Sequence, residues 1–149
     1  MAIPELDQHG VLPPGIHGCS MVELLERFGT TKHRQNLIAS LKKVLVIVRK
    51  DLAQPIYIDG GFVTASTRPA DIDVVIDMLN APEADRTKAF RLMLEHRGRW
   101  YTRWKVDFMP ELPANGEKFI DSFQKVGPNT ATRLGLIPDH PKGILLLTS

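Results

Sequence analysis

Cysteine is almost absent from this chain: Cys19 is the single one in 149 residues. A lone cysteine excludes an internal disulfide and any zinc site built from several thiolates. It fits a reducing compartment, so a cytoplasmic location is expected. Aromatics are sparse, at 7%, and long hydrophobic runs are missing. The longest, Val44 to Val48, is far too short to span a bilayer, and no membrane partner is expected. The opening Met1-Ala2-Ile3-Pro4-Glu5 has neither the basic start nor the apolar stretch of a secretory leader. Repeats, low-complexity tracts and long linkers are also lacking, so residues 1–149 are expected to form one domain.

What is present is ordinary in amount and uneven in place. A hydrophobic content of 43% is enough to build a core at this length. The net charge of +2 says little about partners. Seven Lys or Arg and no acid lie from Arg27 to Lys50; seven more, against Glu95 alone, lie from Arg86 to Lys105. Such runs are usually solvated helix faces. The other reading is a surface for nucleotide phosphates or RNA.

Apolar spacing and chain breakers order the elements. Residues 1–19, rich in Pro, Gly and His, predict an extended lead-in. Ser20-Met21-Val22-Glu23 is a capping box for a short helix that has Leu24, Leu25 and Phe28 on one side and stops at Gly29. Thr30 or Thr31 caps a second helix, whose stripe is Leu37, Leu41, Val44, Leu45 and Val48 and whose end is set by Pro55. Ile56-Tyr57-Ile58 predicts a strand, residues 61–67 one or two helical turns, and Ile72 to Met78 a second strand. Asn80 caps a third helix with Phe90, Met93 and Leu94 at helical spacing, running to about Arg97 and ended by Gly98. Trp100 to Phe108 reads as a third strand, Pro110 and Pro113 as breaks, and Glu117 to Lys125 as a short helix. A loop-like tail leads to Lys142 to Leu147, a last strand or a buried extended segment. The order suits an α/β or α+β domain with a small mixed sheet flanked by helices. Leu12, Ile16, Ile144 and Leu146 need burial, so both chain ends are expected to pack on the core.

The chemistry lies between the first two strands. There the chain runs strand, Gly60-Gly61, nine residues, then Asp71-Ile72-Asp73. Two glycines after a strand let the backbone come close to a phosphate, and a helix starting there favours the anion. Asp71 and Asp73, two apart on a strand, share one face. Carboxylates that close repel unless a cation neutralises them, and Mg²⁺ is the natural one because it keeps positions open for substrate phosphates. Asp107, between Val106 and Phe108, is a third candidate that needs a partner in its apolar strand. Three such acids suit a two-metal site for phosphoryl transfer.

Gly-Gly, nine residues, Asp-Ile-Asp resembles the signature of the polymerase-β-like nucleotidyltransferases. The resemblance implies that Asp71, Asp73 and Asp107 are the catalytic, metal-holding acids. It implies that Gly60, Gly61, Thr64 and Arg68 bind the nucleotide. A similarity to small stand-alone nucleotidyltransferase-like proteins covers nearly the whole chain. It rests on Gly10-Val11-Leu12-Pro13-Pro14-Gly15-Ile16-His17, Gly60-Gly61-Phe62-Val63-Thr64, Pro69-Ala70-Asp71-Ile72-Asp73 and Lys142-Gly143-Ile144. The chain departs where such proteins carry Ser at position 61, and an acid and a lysine where Ala65-Ser66 stand. Arg68 is the expected substitute for the lost cation. The resemblance implies a polymerase-β-like fold and an NTP substrate with Mg²⁺. The acceptor would be a tRNA end, a protein hydroxyl or a small molecule, as in toxin–antitoxin and antibiotic-modifying enzymes. A homodimer or a partner protein would complete the pocket of so short a chain. The departures motivate a second reading: a catalytically weak module or antitoxin-like partner protein that binds without turnover.

Three further groups stay open. His9 and His17 are turn residues, or His17 folds over the site. Lys142 is a surface lysine, or reaches the nucleotide. Trp100, Tyr101 and Trp104, beside Arg99, Arg103 and Lys105, pack in the core or stack on bases.

Overall fold

The capping box forms as its sequence requires. Ser20 Oγ accepts from the Glu23 amide at 3.1 Å, and the Glu23 carboxylate accepts from the Ser20 amide at 3.0 Å. It opens α1 (Met21–Phe28), which Gly29 caps. Thr31 caps α2 (Lys32–Arg49). The computed structural model describes residues 3–116 and 118–148. The β-branched end of α2 stays helical because Val44 and Val48 are fully buried; the helix ends at Arg49, before Pro55 is reached.

Five strands form one mixed sheet: β1 (Ile16–Cys19), β2 (Ile56–Asp59), β3 (Ile72–Asp77), β4 (Val106–Glu111) and β5 (Ile144–Leu147). Their order is β1-β5-β2-β3-β4. β1 and β5 are parallel, as are β3 and β4; β2 runs antiparallel to both its neighbours. Ile58, Val74 and Phe108 stand in register across three strands, and Leu145 faces Ile58 from β5. This row packs with Leu24, Leu41, Val48 and Trp100 of the helices in the main core. Alternation then sends Asp59, Asp73 and Asp107 to the other face of the sheet. The fold is α+β, as the order of elements implies.

Several expectations need correction. The lead-in is not merely extended. Residues 16–19 pair with β5, while the Leu12 and Gly15 carbonyls accept from the Gly143 and Ile144 amides at 2.9 and 3.1 Å. Leu12 and Ile144 are buried, but Ile16, on the edge strand, is 45% exposed. Residues 61–67 hold only a single 3-10 turn, Gly60–Val63.

The third helix, α3 (Glu83–Trp104), is capped by Pro82 and passes through Gly98 to Trp104, so Trp100–Trp104 are helical and not strand. The face that decides this is Ala89, His96 and Trp100, not Phe90 and Leu94, which stay exposed. Trp100 stacks on His96 and meets Phe108 edge-on at 5.4 Å, which locks α3 on β4. Lys105, in the left-handed region at φ 57°, turns the chain into β4. Pro110 lies inside β4, where an edge position spares its missing donor.

The predicted helix at 117–125 is a single turn, α4 (Phe119–Ser122); its first residue, Glu117, lies outside the described residues. The buried Glu111 carboxylate holds this region, accepting from the Ile120 amide and the Asn115 side chain. The tail contains a helix that was expected to be loop, α5 (Pro128–Leu134). Its signals were a Gly-Pro start and a Gly135 stop. Ala131 of α5 packs with Val11 and Val126 in a small second core, so the lead-in carries the tail. No helix among the described residues is long and apolar enough to cross a membrane.

Candidate active site

One end of the sheet collects the charged residues. β2 ends there at Asp59, while β3, β4 and β5 begin there. In register, Asp59 faces Asp73, and Asp73 faces Asp107. Asp71, two residues before Asp73, falls on the same side. Lys142, two residues before Ile144, shares the face of Asp59 by the same alternation, since Leu145 faces Ile58.

Gly60 leaves β2 at φ +83°, and a Cβ built on it would stand 2.0 Å from Asp73 Oδ2. The Asp73 carboxylate therefore lies directly against the glycine turn. Gly60→Ala is expected to destabilise the fold by about 1–3 kcal/mol, because it adds left-handed strain to this clash. A denaturant midpoint unchanged from wild type would show that neither constraint is real. At Gly61 a Cβ would stand 3.0 Å from the Thr130 hydroxyl of α5. The hydroxyl that a serine would bring to position 61 thus has a counterpart on another element.

The loop after the turn is pinned by a residue that reading the charge runs as solvated overlooked. Arg34 is buried and donates to the carbonyls of Phe62, Thr64 and Ser66 at 2.7, 2.8 and 2.6 Å. Its guanidinium also lies over the Phe62 ring. Thr64 is buried, its hydroxyl donating to the Gly61 carbonyl at 2.6 Å and accepting from the Ser66 amide. Thr64 shapes the turn and does not line the cleft. Arg68 lines an adjoining hollow that shares Arg133 with the cleft. The expected substitute cation is not itself among the residues that line the cleft; Lys142 is, and it is buried, not a surface lysine.

The cleft beside the turn has a volume of about 380 Å³. Gly60, Gly61, Asp71, Asp73 and Tyr101 line it, together with Lys125, Thr130, Arg133 and Lys142. This size is within the common range for small-ligand sites, roughly 300–1,000 Å³. Asp107 lies outside it. It lines an adjoining hollow of about 490 Å³ with Met93, Leu94, Arg97, Gly98 and Tyr101. Tyr101 borders both spaces and donates its hydroxyl to Asp71 at 3.0 Å. Arg97 Nε donates to Asp107 Oδ1 at 2.9 Å. Trp100 is core, Trp104 is half-buried beside Lys43 and Arg103, and of these three aromatics only Tyr101 lines the cleft, which Phe123 lines as well. His17 is on β1, its ring bonded to the Pro13 carbonyl, and His9 packs against His140.

Electrostatics set the acids apart. Burial, then Asp71 and Asp107, push the Asp73 carboxyl up to about 8. Burial also raises Asp71, against the pull of the Tyr101 hydrogen bond. Burial raises Asp59, with Asp73 adding to it, and lowers Lys142 against the attraction of Asp59 and Asp73. The donor set fits Mg²⁺ in kind: oxygen ligands only, with Asp71 and Asp73 held back from ionising in the absence of a cation. As they stand, no group of three or more His, Cys, Asp or Glu among the described residues is arranged to hold a metal ion. Arg97, bonded to Asp107 Oδ1, would compete with a cation for that carboxylate.

A model of a family of unknown function, DUF6932, matches residues 4–148, and the chain belongs to that family. No curated protein and no solved structure matches the chain.

Proposed function

We propose that this member of the family is a Mg²⁺-dependent nucleotidyltransferase that moves a nucleoside monophosphate from an NTP onto an acceptor hydroxyl. One observation carries the reading: Asp73 lies in register with Asp107 and packs against the Gly60 turn. Asp71, Asp73 and a glycine turn border one cleft, with Asp107 in register beside Asp73 at the adjoining hollow, and such acids next to a phosphate-sized turn suit phosphoryl transfer. Asp71, Asp73 and Asp107 would hold the metal, which when bound neutralises the acids and the charge developing on the phosphoryl oxygens. Gly60 and Gly61 admit the polyphosphate; Thr64 and Arg34 keep their turn in shape. Asp107 faces the adjoining hollow, where the acceptor hydroxyl would approach. The acceptor oxygen bonds to the α-phosphorus, the bond to pyrophosphate breaks, and the acceptor proton passes to solvent. RNA ends, proteins and small molecules remain the acceptor classes, and a dimer or partner protein would complete the pocket. A cytoplasmic location accords with this chemistry.

The test is transfer of label from NTPs marked at the α-phosphate, with Mg²⁺, to RNA, protein or small-molecule fractions of a cell extract. Asp71→Asn is expected to lower that transfer by roughly a hundredfold or more. A second reading has its own observation: Arg97 and Tyr101 already occupy Asp107 and Asp71. It makes the chain a module or antitoxin-like partner that binds nucleotide without turnover. NTP binding with no labelled product in any fraction would select this second reading.

A further inference from the structure

Lys142 is the least explained side chain of the fold. It is 2% exposed, and its ammonium nitrogen is buried with no hydrogen-bond partner. Both carboxylate oxygens of the fully buried Asp59 are likewise unpartnered. An ammonium has three donors, and leaving them unmet in a buried place is costly. Lys142 nonetheless lines the cleft, together with Gly60 and Gly61. The chain is fixed there: Gly143 passes so close to the lead-in that a Cβ on it would stand 2.2 Å from the Pro13 carbonyl. Lys125 and Arg133, both exposed, line the same cleft.

Resting on the transferase reading, we infer that Lys142 is a polyphosphate-binding residue, its ammonium donating to phosphate oxygens of a ligand in the cleft. Lys125 and Arg133 add a screened, longer-range attraction. Asp59 is a positioning residue: its charge attracts Lys142 without a hydrogen bond and competes with the ligand for it. Lys142 supplies the cation for which the sequence offered Arg68.

Inorganic tripolyphosphate with Mg²⁺, titrated calorimetrically, tests this without any transfer reaction. Wild type should bind it, and Lys142→Met should weaken binding at least tenfold. Asp59→Asn should bind at least as tightly as wild type, because a competitor for the ammonium is gone. If Lys142→Met alone does not fold, the double variant Asp59→Asn/Lys142→Met removes the buried pair together and should show the same tenfold loss. Unchanged affinity on loss of Lys142 overturns the inference. So does equal weakening by Asp59→Asn and Lys142→Met, the mark of a purely structural pair. Wild type that transfers labelled nucleotide yet binds no tripolyphosphate overturns it too, and leaves the transferase reading standing. Tripolyphosphate binding that depends on Lys142, without transfer, supports the inference while the transferase reading fails.

Discussion

Asp73→Asn is expected to abolish transfer and to remove a pH dependence from the stability of the metal-free protein. In the unfolded chain this carboxyl ionises near 3.8, whereas in the fold it keeps its proton until about 8. Between those values the folded state binds more protons than the unfolded one, so stability falls as pH rises. The effect is absent below the lower value and complete above the higher one. Its slope for one such group approaches about 1.4 kcal/mol per pH unit. Asn keeps the shape and cannot ionise. The variant should therefore equal wild type near pH 4 and exceed it most above pH 8. Transfer should fall by roughly a thousandfold, since the carboxylate that bridges the glycine turn and the other acids is lost. Denaturant melts across the window check the first part. Parallel curves for the two proteins would mean that Asp73 ionises freely in the fold.

Mg²⁺ is expected to stabilise wild type, and Asp107→Asn to lose most of that gain together with transfer. An ion that binds only the folded state adds about 2.7 kcal/mol at a hundred times its dissociation constant. In the proposed site Asp107 is one of three acids, and its Oδ1 is already tied to Arg97, which competes with a metal for that carboxylate. Removing the charge at 107 should raise the metal's dissociation constant about tenfold. The metal-free variant should be close to wild type, because the exposed half of the Arg97 pair limits what that pair contributes. Melts with and without Mg²⁺ decide it. The metal assignment is falsified if Asp107→Asn keeps the full Mg²⁺-dependent shift in melting temperature and full transfer.

The elements whose signals are local were legible. The capping box at Ser20, the stripe of α2, and the strands around Ile58 and Val74 all follow from spacing and caps. Two of the misreadings share one cause, which is that tertiary contacts overrode local signs. Gly98 looks like a helix stop, costing about 1 kcal/mol there, yet burial of Trp100 against Phe108 carries α3 through it. Arg34 looks like one cation in a solvated run, yet three carbonyls converge on it.

By itself the sequence determined the acids and the turn, since a period of two and a pair of glycines are properties of the chain alone. Which side chains complete the cleft was decided only by the tertiary structure. Lys142, just before β5, and Thr130 of α5 lie far in sequence from the Gly60 turn, yet all of them line the one cleft. Register across β2, β3 and β4 is a long-range property: it aligned Asp59, Asp73 and Asp107, and no local pattern of residues encodes that alignment.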